Sequence, residues 1–180
     1  MREVFTPANV LTMLRIALIV PLVYLLWATE AQWAALLLFA LASVTDFFDG
    51  YLARKRNEHT MLGQLLDPIA DKGLVISVLV VFVLQQIIPL SWLIVLALKE
   101  LLLLAGGAIL LGGGRKVVAA RPLGKWATGI LLVGMLVAIA GFPEIGRWVM
   151  GVGILLSLGA GVDYAWVVLN QGRAQKLNAR

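Results

Sequence analysis

The sequence predicts an all-α integral membrane protein that folds as a bundle of six helices. Of its 180 residues, 61% are hydrophobic and 14% are charged, and the mean hydropathy is +0.94. A water-soluble domain of this size does not need so much apolar material. The strict alternation of apolar and polar residues that marks a transmembrane barrel is absent from the sequence, and lipid otherwise admits only helices.

Six apolar segments of roughly 20 residues follow one another, which suits a bilayer core of about 30 Å. Pro7 stands where the first helix is expected to begin, and Pro68 is expected to bend the third helix. No linker or shift in composition divides the chain, which predicts a single domain over residues 1–180, with residues 171–180 as a polar tail. The predicted helices are Ala8–Ala28, Ala31–Lys55, Met61–Gln85, Leu90–Leu111, Leu123–Ala140 and Glu144–Asn170.

Lysine and arginine collect in one set of connections, whereas the other set holds only Arg147. This bias predicts that the basic set and both termini lie in the cytoplasm, in a multi-pass protein of the cell inner (plasma) membrane. The net charge of +5 is therefore expected to orient the protein in the membrane and to contact anionic lipids, and not to bind nucleic acid. The basic set comprises Arg2, Lys55, Arg56, Arg115, Lys116, Arg121, Arg173, Lys176 and Arg180.

Four aspartates at helical spacing flank the connection between the second and third predicted helices, which belongs to the basic set predicted to be cytoplasmic. Asp46 and Asp49 are three residues apart near the end of the second predicted helix, and Asp67 and Asp71 are four apart near the start of the third. Residues at these spacings share a helix face. With no cysteine and one histidine in the chain, four such carboxylates favour hard divalent cations such as Mg²⁺ or Mn²⁺. Two of these ions about 3.5–4 Å apart would form a clamp for phosphoryl displacement.

The aspartates alone leave other classes of function open. A cation transporter would use the same acids, and a structural membrane subunit would pair them with neighbouring bases such as Arg54 and Lys72. A transport pathway predicts polar groups that continue through the outer half of the bundle. Residues 33–42 and 73–84 are almost purely apolar, which disfavours a pathway.

The full spacing resembles the signature of the CDP-alcohol phosphotransferase family. It reads Asp46-x2-Asp49-Gly50-x2-Ala53-Arg54-x8-Gly63-x3-Asp67-x3-Asp71, with eight defined positions over 26 residues. The resemblance implies six membrane helices, a homodimer and an enzyme of phospholipid biosynthesis with two Mg²⁺ or Mn²⁺ ions held by the four aspartates. It also implies that Asp71 is the general base, which takes the proton of an acceptor hydroxyl that attacks CDP-diacylglycerol with release of CMP. The residues that would contact the CDP part are Asn9, Thr12, Gly50, Ala53, Arg54, Thr60 and Gly63.

The acceptor alcohol is less sharply specified. The segment TPANVLTMLRIALIVP and the motif block are most similar to family members that use sn-glycerol 3-phosphate, whereas phosphatidylglycerol and inositol phosphate remain alternatives. An anionic acceptor needs cations beyond Arg54, and the candidates are Lys99, Arg115, Arg121 and Lys125. The charge bias of cytoplasmic loops is the stronger explanation for Arg115 and an equally good one for the last two. Those members commonly carry Gly-Arg-Glu where this chain has Leu98-Lys99-Glu100, and lysine does not replace arginine at a bidentate phosphate site.

Two further features concern packing. Lys99 and Glu100 are neighbours in mid-helix and are expected to point to different faces, with at least one meeting a partner inside the bundle. Small residues recur every four positions along the sixth helix, which allows close helix approach either within the monomer or at a dimer interface. They are Gly153, Ser157, Gly161 and Ala165.

Overall fold

The computed structural model describes residues 7–28, 31–56, 61–112 and 122–178. Its side chains are described in residues 12–28, 31–45, 70, 72–103, 105–106 and 122–166. Within the described ranges the secondary structure is all helical, in agreement with the predicted fold class and number of helices. The helices are α1 (Pro7–Ala28), α2 (Gln32–Arg56), α3 (Met61–Leu84), α4 (Leu90–Gly112), α5 (Pro122–Ile139) and α6 (Pro143–Asn178).

The observed helix boundaries agree with the predicted ones to within one residue, except at the end of α6. Helix α6 continues to Asn178, eight residues beyond the predicted end at Asn170. The segment after Asn170 reads QGRAQKLN, which contains several strong helix formers and no proline. Loss of apolar character in the sequence therefore does not mark where this helix ends.

The starts and ends of several helices follow from local backbone chemistry. Helices α1, α5 and α6 each begin with a proline, whose fixed φ suits the first helical position and whose missing N–H is not needed there. A residue in the left-handed conformation lies two positions after the end of α3 and of α5, Gln86 with φ 60° and Gly141 with φ 98°. The following N–H groups, of Ile87 and Phe142, donate to carbonyls five residues earlier at 2.9 and 3.2 Å. This is the Schellman arrangement, and it reverses the chain without a long loop.

The chain forms two compact units. The first comprises residues 1–88 and 135–146, and the second comprises residues 89–134 and 147–180. In the first unit, α1 packs against both α2 and α3, and the fully buried side chains include Leu22, Phe39 and Phe82. The prediction of a single domain over residues 1–180 stays a prediction.

Two stretches among the described residues are long and apolar enough to cross a membrane, Pro122–Ile139 and Pro143–Trp166. Shorter apolar stretches cover Thr12–Ala28, Gln32–Thr45 and Lys72–Leu84. Large apolar side chains are exposed along these helices, as at Leu37 (70%) and Leu155 (69%), which suits a lipid environment better than water. Six membrane spans with both termini in the cytoplasm remain a prediction.

The small residues of α6 are used for packing inside the second unit. A Cβ built on Gly153 would lie 2.9 Å from the backbone nitrogen of Leu131 and 3.2 Å from the carbonyl oxygen of Ala127, both on α5. A Cβ on Gly161 would lie 3.3 Å from Cγ of Lys99 on α4. At both glycines the small residue therefore allows close helix packing within the monomer, which is one of the two interpretations of this four-residue repeat.

We expect Gly153→Ala to destabilise the protein, because its Cβ would meet backbone atoms of α5 that cannot rotate away. The cost should be about 1–3 kcal/mol, as for other overpacked sites. Gly129→Ala is the matched control, since a Cβ there meets nothing within 4 Å and alanine favours a helix by up to about 1 kcal/mol. Thermal unfolding of the purified protein in detergent would compare them. An equal effect of the two substitutions would contradict the close approach of α5 and α6.

Candidate active site

The residues that line a cavity at one end of the first unit show the relative directions of α1, α2 and α3. This cavity of about 620 Å³ is lined by Leu26 from the end of α1, Gln32 from the start of α2 and Gln85 from the turn after α3, among others. The side-chain Nε2 of Gln85 donates to the carbonyl oxygen of Leu26 at 2.6 Å. Helices α1 and α3 therefore end where α2 begins, so that α1 and α3 run parallel and α2 runs antiparallel to them.

The opposite end of the first unit therefore brings together the start of α1, the end of α2 and the start of α3. Asp46 and Asp49 lie in the last turns of α2, and Asp67 and Asp71 lie in the first turns of α3. Because both segments are helical, each pair shares one face of its helix, as predicted. The structure thus places the four positions at the same end of three packed helices.

Several predicted site residues lie outside what the structure describes. Thr60 and Arg121 belong to connections that are not described, and the other residues concerned lie on described helices, with side chains that are not described. Their proposed roles in binding remain predictions. The residues on described helices are Asn9, Asp46, Asp49, Gly50, Ala53, Arg54, Gly63, Asp67 and Asp71.

One face of α1 supplies polar side chains to this end of the unit. Thr12 is fully buried and Arg15 is 1% exposed. Ile19 lies one turn further along the same face, where its Cδ1 would be 3.4 Å from a Cβ built on Gly73 of α3. Thr12 and Arg15 are three residues apart and form a polar stripe along α1, but this spacing does not say which way the stripe faces. The structure turns this stripe inward, and Arg15 was not predicted as a site residue.

The polar residues that precede Asp46 on α2 are satisfied by their own helix. The hydroxyl of Ser43 donates to the carbonyl of Phe39 and that of Thr45 to the carbonyl of Ala42, both at 2.8 Å. Among the side chains that the structure describes, no group of three His, Cys, Asp or Glu residues is placed to hold a metal ion. The aspartates at positions 46–71 therefore remain the candidate metal ligands.

Lys99 on α4 has defined partners in the second unit. Its Nζ donates to the hydroxyl of Ser157 on α6 at 2.7 Å and lies 2.7 Å from Oε1 of Glu100. The expectation that at least one of the charged neighbours meets a partner inside the bundle is confirmed at Ser157. The expectation that they point apart is wrong, because the flexible four-carbon stem of lysine lets its ammonium group reach the adjacent carboxylate.

Two other features of the second unit concern the candidate acceptor cations. Lys99 borders a cavity of about 560 Å³ between α4 and α6, which is otherwise lined mainly by apolar side chains such as Leu102 and Val162. Lys125 lies in the first turn of α5 and is exposed. Lys99 is therefore engaged by protein groups, whereas Lys125 is accessible.

Comparison with known proteins identifies the family. The family model for CDP-alcohol phosphatidyltransferase matches residues 5–159. A CDP-diacylglycerol–glycerol-3-phosphate 3-phosphatidyltransferase of Bacillus subtilis (strain 168) is 33% identical over 170 residues, covering 81% of this chain and 87% of that protein. The protein of that name from Shigella flexneri is 35% identical over 177 residues, covering 92% of both chains. A cardiolipin synthase (CMP-forming) of Streptomyces coelicolor is 37% identical over 131 residues, covering 70% of this chain and 61% of that protein.

The chain belongs to the CDP-alcohol phosphatidyltransferase family. It is therefore an enzyme of the phosphatidyltransferase class, from a family of membrane proteins. This finding confirms the resemblance that the aspartate motif indicated. Enzymes of this family are generally metal-dependent. The match includes α1–α5 and all four aspartates.

We expect Lys99 and Ser157 to be energetically coupled, because their hydrogen bond joins α4 to α6 and carries a charge. A double-mutant cycle with Lys99→Met and Ser157→Ala should give a coupling free energy of about 1–2 kcal/mol. This value is below the usual free energy of a charge-assisted hydrogen bond, because polar groups of an unfolded membrane protein also find other partners. Thermal unfolding of the four proteins in detergent measures this quantity. Additive effects of the two substitutions would show that the contact does not hold the helices together.

Proposed function

We propose that this enzyme transfers the phosphatidyl group of CDP-diacylglycerol to sn-glycerol 3-phosphate, with release of CMP and formation of phosphatidylglycerophosphate. The observation that carries the proposal is the gathering of the aspartate-bearing ends of α2 and α3 beside the polar face of α1. The names of the relatives in B. subtilis and S. flexneri support this acceptor. The relative in S. coelicolor supports the second candidate, transfer to phosphatidylglycerol to give cardiolipin; inositol phosphate is a third acceptor.

The chemistry of the donor set fits two Mg²⁺ or Mn²⁺ ions. Four carboxylates are hard oxygen donors, and both helical segments present them in pairs on one face. By their positions in the motif, Asp46, Asp49, Asp67 and Asp71 would together hold the two ions. When bound, the ions would neutralise charge on the diphosphate and acidify the acceptor hydroxyl.

The protein side chains would carry the proton and hold the nucleotide. Asp71 takes the proton of the acceptor hydroxyl, whose oxygen forms a new bond to the β-phosphorus of CDP-diacylglycerol. The bond from that phosphorus to the bridging oxygen breaks, and CMP leaves with this oxygen. Arg54 would bind a phosphate through two parallel hydrogen bonds of its planar guanidinium group. Gly50, Ala53 and Gly63 have small or no side chains and would let the nucleotide approach the helix backbone closely. Asn9, Thr12 and Thr60 would complete the contacts with the CDP part.

The cations that select the acceptor are proposed to be Lys99, Arg121 and Lys125. Lys99 is the least direct of the three, because two of its three donors are occupied by Ser157 and Glu100. Arg121 immediately precedes α5, and Lys125 lies in its first turn, where free backbone N–H groups also favour a phosphate.

The setting of the reaction is proposed from the charge bias of the loops. The enzyme is a multi-pass protein of the inner (plasma) membrane, its active site faces the cytoplasm, and it acts as a homodimer among membrane lipids. CDP-diacylglycerol would enter laterally from the bilayer, and the water-soluble acceptor would enter from the cytoplasm.

We expect the purified protein to release CMP from cytidine-labelled CDP-diacylglycerol when Mg²⁺ or Mn²⁺ and sn-glycerol 3-phosphate are added. Asp71→Asn should lower turnover at least 100-fold, in line with the contribution of a general base, while CDP still binds. Asp46→Asn should lose both turnover and metal binding.

Three results would count against this proposal. Absence of CMP with every acceptor would exclude transfer from CDP-diacylglycerol, and activity with phosphatidylglycerol alone would replace the acceptor. Retained turnover in Asp71→Asn would remove this residue as the base.

We expect Arg121→Gln and Lys125→Gln to raise the KM for sn-glycerol 3-phosphate. Loss of one charge-assisted hydrogen bond should raise it roughly 10- to 100-fold, while the KM for CDP-diacylglycerol stays the same. Lys116→Gln is the control, because this residue is interpreted as an ordinary cytoplasmic charge. Steady-state kinetics with each substrate varied in turn would measure these constants, and an equal change for both substrates would refute selective acceptor binding.

A further inference from the structure

Arg15 is a charged side chain buried inside an apolar helix bundle. It is 1% exposed and is the largest of the fully buried side chains in the described part of the chain. Burial of a guanidinium group is costly unless opposite charge surrounds it, and such residues in membrane segments mark function by default. The aspartate motif itself does not include Arg15.

The contacts of α1 with α3 set the level of Arg15. The two helices run parallel, and Ile19 on α1 lies against Gly73 on α3. Four residues earlier on each helix, Arg15 is level with position 69, between Asp67 and Asp71. Counting from the helix starts gives the same result: Arg15 lies about 12 Å along α1, and the two aspartates lie about 9 and 15 Å along α3.

The direction of α2 gives an independent estimate. Helix α2 begins four residues after α1 ends and runs antiparallel to it, so Arg15 is level with position 45. This position adjoins Asp46 and lies about one turn from Asp49. All four aspartates are therefore within about one helical turn of the level of Arg15.

We propose that Arg15 is a positioning residue that supplies a fixed positive charge to the four aspartates when no metal is bound. This inference rests on the proposed function of the aspartates as metal ligands. Four carboxylates at one level repel one another, and the guanidinium group, which is always charged, offsets that repulsion. The same charge repels divalent cations. Arg15 thus lowers the affinity of the site for metal while it holds the metal-free site together.

Substitution of Arg15 should move these two quantities in opposite directions. In Arg15→Gln, the affinity for Mn²⁺, added without substrate, should rise about tenfold or more. A nearby charge changes the proton-binding constant of a carboxylate by about tenfold or more, and we expect a similar effect on the metal-binding constant. The thermal transition in EDTA should fall by several degrees. Arg15→Lys should restore both values toward those of the wild type. Titration followed by electron paramagnetic resonance of free Mn²⁺, with the full-length protein in detergent, measures the affinity without any turnover.

Leu22→Ala is the matched control for loss of packing. Leu22 is fully buried on the same face of α1, about two turns further from the aspartates. Its truncation should lower the thermal transition but leave the affinity for Mn²⁺ unchanged. A purely structural role of Arg15 predicts this same pattern, so unchanged or weaker Mn²⁺ binding by Arg15→Gln would overturn the inference.

A compensating substitution tests the charge argument even if Arg15→Gln does not fold. The double variant Arg15→Gln/Asp67→Asn removes one charge of each sign and should recover folded protein and the thermal transition in EDTA. Failure to recover would also overturn the inference. If wild-type protein does not bind Mn²⁺, or if Asp46→Asn binds it equally well, the proposed metal site fails and the role of Arg15 fails with it. Binding by the wild type without tighter binding by Arg15→Gln rejects the role of Arg15 alone.

Discussion

The packing of α1 against both α2 and α3 is the constraint on which the site depends. The hydrogen bond between Gln85 and Leu26 and the residues that line the adjoining cavity show which ends of these helices meet. Once that end is fixed, the remaining ends carry all four aspartates to one place, beside Thr12 and Arg15. Reversal of α2 or of α3 would place the two pairs of aspartate positions at opposite ends of these helices.

Some polar side chains in this apolar chain donate hydrogen bonds to the backbone of their own helix, whereas others need a partner side chain. Ser43 and Thr45 bond to their own helix, and Lys99 is held by Ser157 and Glu100. Asp46, Asp49, Asp67 and Asp71 place four like charges within two short helical segments. In an environment of low dielectric constant, such a concentration is stable only with cations nearby, which is why metal chemistry and a buried arginine are complementary expectations.

The number of helices was predictable from the lengths of the apolar segments, and the starts of α1, α5 and α6 from the positions of prolines. The family was predictable because the spacing of the aspartates and glycines is highly specific. The inward direction of Arg15 was not, because a polar stripe at three-residue spacing does not state which neighbour it faces. The pairing of Lys99 with Glu100 was missed because face geometry describes Cβ directions and not the reach of a flexible side chain. The extra turns of α6 were missed because helix propensity continues after hydrophobicity ends.

The close approach at Gly153 and Gly161 has a consequence for how α6 can change in evolution. One narrow side of this helix is pressed against α5 and α4, whereas Val152, Leu155 and Val162 on other sides are more than half exposed. The backbone of α5 leaves no room for added atoms at Gly153, the Lys99 side chain leaves little at Gly161, and the exposed sides only need to stay apolar. Sequence drift along α6 should therefore be periodic, with small residues fixed at intervals of four and free exchange of large aliphatic residues between them.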